Sequence, residues 1–81
     1  MKKYILDFYN INSKEDIHNY LAKNLQLPDY YGKNLDALFE ILSEISEPTA
    51  FKLDNINSEY LESIKQVFID AENDNDNIAV F

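Results

Sequence analysis

Apolar positions fall in six clusters along the chain, and their spacing changes from one cluster to the next. Between Lys3 and Tyr9 the residues Tyr4, Ile5, Leu6 and Phe8 make a run dense in aromatic and branched side chains, which predicts a strand. Ile17, Tyr20, Leu21 and Leu25 then recur at helical intervals. Ser13 stands before them as an N-cap with Asp16 three positions on, so a helix is predicted over 14–25, ended by Leu27-Pro28. Leu35, Leu38, Leu42 and Ile45 form a stripe that predicts a second helix from Leu35 to Ile45, with Asn34 as its cap. Past Pro48, Thr49–Leu53 reads as a second strand. A third helix opens at Asn57 or Ser58 and carries Leu61, Ile64, Val67, Phe68 and Ala71 on one face. The polar turn Asn73–Asp76 leads to Ile78–Phe81, whose apolar run predicts a buried third strand.

The order β-α-α-β-α-β carries no repeat and no linker. Strands separated by helices favour a parallel sheet with right-handed crossovers. The predicted fold class is therefore α/β, a two-layer domain over residues 1–81 with a three-stranded parallel sheet and about three helices.

Composition narrows the function. Chains of 81 residues bury only about 60–65% of their unfolded surface, so a packed interior leaves little material for a deep pocket. There is no cysteine, which removes disulfide frameworks and thiolate metal sites. Asp7 interrupts the apolar run that follows Lys2 and Lys3 too early for a signal peptide, and no stretch nears the length of a membrane span, so a cytoplasmic protein is expected. Fifteen acids against seven lysines give a net charge of −8. That field repels nucleic acid and anionic membranes and speeds the approach of a basic partner.

The candidate chemistry is sparse. His18, the one histidine, has no cysteine, serine or second histidine at a catalytic spacing and reads as a surface residue. Asp74-Asn75-Asp76-Asn77 resembles the start of a calcium loop but lacks the glycine at position six and the glutamate at position twelve, so it reads as a plain turn. Asp36, Glu40 and Glu44 recur every four residues on the second helix, where like charges cost about 0.2–0.5 kcal/mol per pair. One helix face gives carboxylates no cleft to perturb them, so no enzyme, cofactor or metal is expected. Phe39, between the leucine stripe and the acids, reads either as core edge or as an apolar anchor in an acidic patch. Tyr30 and Tyr31 are adjacent in a loop, where one at most should bury fully, and loop tyrosines are favoured interface material.

The segment Leu27-Pro28-Asp29-Tyr30-Tyr31-Gly32-Lys33-Asn34-Leu35-Asp36-Ala37-Leu38 resembles the signature of the barstar family of intracellular ribonuclease inhibitors, and Gln66-Val67-Phe68 before Asp70-Ala71 resembles a weaker second segment. The resemblance implies a three-stranded parallel sheet with helices on it. It implies a basic, barnase-like extracellular ribonuclease as partner, plugged by the second helix and the loop before it in place of RNA phosphate, and a monomer when free. Carried over, Tyr30, Gly32, Asn34, Asp36 and Glu40 fall on contact positions, with Asp70 at the periphery and Phe39 where the family has a tryptophan. Gly32 would let the loop backbone approach the partner closely. Glu40 is one methylene longer than the family's aspartate, and Ile45 lies near a second tryptophan position. The stretch between Leu53 and Ser58 is short, so the family's extra short helix should be missing. An immunity protein or antitoxin of the same fold, directed at a different toxin, is the alternative, and a housekeeping interaction module is a third reading.

Overall fold

The computed structural model describes residues 1–81 and places six elements in the expected order: β1 (Lys2–Asp7), α1 (Lys14–Asn24), α2 (Leu35–Ser43), β2 (Thr49–Asp54), α3 (Glu59–Asp74) and β3 (Ile78–Val80). The strands form one parallel sheet in the order β1-β2-β3. Lys2 pairs with Thr49 and Thr49 with Ile78, so the short β3 covers only the first half of β2. No helix lies between β2 and α3.

Strand alternation divides the sheet's two faces. Tyr4, Leu6, Phe51, Ile78 and Val80 point into a single hydrophobic cluster shared with residues of all three helices, while Lys3, Ile5 and Lys52 on the opposite face are exposed. The result is two layers, helices over a sheet. Phe51, on the central strand, sits at the middle of the cluster. Its ring lies 5.6 Å from that of Tyr4 and 5.0 Å from that of Phe68 on α3.

The helix starts follow the sequence signals. Ser13, Asn34 and Ser58 each accept a hydrogen bond from a backbone N–H three residues on, from Asp16, Ala37 and Leu61 respectively. The ends are set by features the periodicity does not carry. α1 closes when the Leu27 N–H bonds back to the Ala22 carbonyl around Gln26, which adopts a left-handed φ of 53°, before Pro28 is reached. α2 stops at Ser43, not at Ile45, and Glu44 is its C-cap. β1 ends at Asp7 and not Tyr9, although Phe8 beyond it remains buried. β3 ends at Val80, leaving Phe81 exposed at the sheet edge beneath the Lys3 ammonium, 5.7 Å from its ring centre.

Candidate functional site

The surface that the fold presents is the loop between α1 and α2 together with the outer side of α2. Tyr30 and Tyr31 divide the labour expected of adjacent aromatics. Tyr31 is buried, with 6% of its surface accessible, and belongs to the core, whereas Tyr30 is 83% exposed and projects from the loop. An aromatic ring left in water while its neighbour anchors the backbone is an arrangement suited to contact.

His18 makes that anchor possible, and here the structure corrects the surface assignment. It is 1% exposed, sitting on the core side of α1 one residue after Ile17 and three before Leu21. Its Nδ1 is 2.6 Å from the Tyr31 hydroxyl and its Nε2 is 2.5 Å from the hydroxyl of Tyr60 on α3. Burial, reinforced by the Lys33 ammonium, lowers its pKa below 6.5. Burial likewise raises both tyrosine pKa values, for Tyr31 with a further push from Tyr60. All three groups are neutral at pH 7. The protonated ring nitrogen donates to one tyrosine, and the other tyrosine donates to the bare nitrogen.

Gly32 and Asn34 lie at the turn into α2. The left-handed residue here is Lys33, with φ of 52°, and Gly32 does not use the positive φ open to glycine. A Cβ at Gly32 would stand 3.3 Å from the Ala37 Cβ and 3.3 Å from the Asn34 amide nitrogen, so the missing side chain makes room for the helix start. Asn34 accepts from the Ala37 N–H at 2.8 Å and donates to the Gly32 carbonyl at 3.2 Å, fixing the turn and the cap with one side chain.

Beyond the cap, Asp36 and Glu40 are exposed, one turn apart, separated by about 6 Å along the helix axis. Glu44, the C-cap of α2, keeps helical backbone angles (φ −91°, ψ −3°) and is exposed four residues after Glu40, lining an open cleft of about 340 Å³ with Lys2, Glu47 and Ile45. Asp36, Glu40 and Glu44 are thus exposed at four-residue spacing, the last of them at the helix C-cap. Phe39 is half-buried and packs on the core, next in sequence to Glu40. Asp70 is exposed on α3, the helix packed against α2, and accepts from the Gln66 side chain at 2.9 Å. Tyr30, Gly32, Asn34, Asp36 and Glu40 thus form one continuous run, Phe39 borders it, and Asp70 stands on the neighbouring element.

The far end of α2 is held by residues that read in sequence as a plain turn. The Asn75 side-chain amide donates toward the carbonyls of Leu42 (3.2 Å), Ser43 (3.4 Å) and Ile45 (2.9 Å), and that of Asn77 toward Ile45 (3.3 Å). The Leu42 carbonyl also accepts from the Ile45 N–H at 3.2 Å, so the two asparagines add to the bonds the helix end makes for itself. No group of three or more histidine, aspartate or glutamate side chains is arranged to hold a metal ion, and no helix is long and apolar enough to cross a membrane.

A small parallel α/β layer that offers an exposed loop tyrosine and an acidic helix has the build of a protein-binding module. The chain belongs to the barstar family, described as Barstar (barnase inhibitor), which it matches over residues 1–81. A protein of Bacillus subtilis (strain 168) named "Putative ribonuclease inhibitor YrdF" is 44% identical to it over 43 residues, a match that spans 53% of this chain and 47% of that relative.

Proposed function

We propose that the protein is a cytoplasmic inhibitor of a basic, barnase-like ribonuclease, and that it binds as a monomer with the loop before α2 and the outer side of α2. The observation that carries this is the run in which exposed Tyr30 is followed by exposed Asp36 and Glu40 on a helix capped and clamped at both ends. Membership of a family described by its barnase inhibitor supports the same reading. In the complex Tyr30 packs on the enzyme, and the two carboxylates take the places of substrate phosphates opposite arginine, lysine or histidine through charge-assisted hydrogen bonds. Asp70 meets the rim.

Mixing the protein with a panel of basic microbial ribonucleases and following RNA cleavage tests the proposal. At least one enzyme should be silenced at near-equal concentration. Glu40→Ala should weaken that inhibition by at least about 100-fold, because removing one partner of a desolvated charge pair typically costs about 3–5 kcal/mol. Folding stability should stay equal or rise slightly as repulsion from Asp36 is relieved. Glu44→Ala, at the C-cap end of the helix, should weaken inhibition far less than Glu40→Ala. Undiminished cleavage by every enzyme in the panel would set the ribonuclease reading aside in favour of an immunity protein against another toxin.

A further inference from the structure

The hydrogen bonds of His18 tie together three parts of the chain that the sheet alone leaves independent: α1, the loop that carries Tyr30, and α3. Tyr31 is 13 residues from His18 and Tyr60 is 42. We infer that Tyr60, acting through His18 and Tyr31, is a positioning residue for the partner-binding loop, so that α3 holds Tyr30 and Gly32 in place without touching the partner. The inference rests on the loop being the contact surface.

The geometry is that of a closed bridge. Both ring nitrogens are engaged at short distances and no buried polar side-chain atom in the protein is without a partner. Tyr60 lies in the first turn of α3, which Ser58 caps through the Leu61 N–H, and the Lys14 ammonium stands 5.1 Å from its ring centre. On the loop side, the Tyr31 N–H bonds to the Pro28 carbonyl, so the anchored ring also fixes the backbone on either side of Tyr30. The loop's other hydrogen bonds lie at its two ends, from the Leu27 N–H to the Ala22 carbonyl and from Asn34 at the start of α2. The groups that face the imidazole are Tyr31 from the loop, Tyr60 from α3 and the Lys33 charge, and no carboxylate bonds to either nitrogen. Protonation would make both nitrogens donors, and the tyrosine that had been donating would have to turn its hydroxyl hydrogen away. That hydroxyl hydrogen then needs another acceptor. Protonating the ring therefore disfavours the bridge as it stands.

Amide hydrogen exchange on the free protein tests this without any ribonuclease. In Tyr60→Phe, which removes only the hydroxyl, the Tyr31 amide should exchange about 2- to 10-fold faster at pH 7, the range of one net hydrogen bond. Amides of β2 should change less. In the parent, Tyr31 protection should fall as His18 titrates below pH 6.5. In His18→Gln, whose amide can both donate and accept but does not titrate, it should be independent of pH. Equal acceleration at Tyr31 and β2, or none at either, overturns the inference. With a ribonuclease that the parent inhibits, Tyr60→Phe should dissociate faster by a similar factor. Unchanged dissociation would overturn the positioning role and leave the functional proposal standing. If no ribonuclease is inhibited but the exchange result holds, the bridge stands and the functional proposal falls.

Discussion

At Gly32 the reason for the residue lies inside the molecule. The backbone there is ordinary, the left-handed joint belongs to Lys33, and the absent Cβ would press on Asn34 and Ala37. Gly32→Ala should therefore leave stability within about 1 kcal/mol, the crowding being offset by the reduced freedom of the unfolded chain. Gly32→Val adds branches to the same tight contact and should cost about 1–3 kcal/mol, read as a lower melting temperature. A valine variant as stable as the alanine one would show that the helix start yields freely. His18 gives a second residue-scale expectation. Its folded pKa lies below the unfolded value of 6.5, so the unfolded chain binds the proton more readily. The stability it contributes is present above pH 6.5 and is lost as the pH falls toward the folded pKa. Denaturant midpoints from pH 7 to 5 should drop more steeply in the parent than in His18→Gln. None of this was legible in the sequence, because His18 meets its partners 13 and 42 residues away and helical periodicity placed it only at the border of the apolar stripe.

The elements themselves were legible, since each carries its own period and its own cap. Ser13, Asn34 and Ser58 announce the helices, and apolar runs between polar turns announce the strands. The end of α2 was not, because Ile45 continues the apolar stripe past the point where the helix stops. It packs on the core from outside the helix, beside carbonyls that Asn75 and Asn77 occupy. Glu44, read as the third acid of the row, is exposed at the C-cap where the helix ends. Asn75→Ala should remove these donors, leaving Leu42 the Ile45 N–H and Ile45 the Asn77 amide, and cost about 0.5–1.5 kcal/mol. In a domain this small each kcal/mol moves the melting temperature by about 4–8 °C. Thermal unfolding measures it, and a melting temperature unchanged by the substitution would mean that water serves the helix end equally well.

For the molecule as a whole, charge sets the kinetics of any encounter. The net charge of −8 is carried by a protein with only two side-chain ion pairs, Lys2–Glu47 and Lys52–Asp54, both at the surface. Most of its carboxylates therefore face water and contribute to the external field. Association with a basic ribonuclease should be accelerated about 10- to 1000-fold at low salt and slow steeply as salt is added, while dissociation changes little. Stopped-flow measurements across ionic strength decide it, and a flat association rate would rule out electrostatic steering. The helix clamp also has a consequence in time. Asn75 reaches Ile45 across 30 residues of chain, so during synthesis α2 emerges well before the side chain that secures its end. At about 5–20 residues per second the gap is on the order of 2–6 s. For that interval the nascent helix carries its acids but not its final shape.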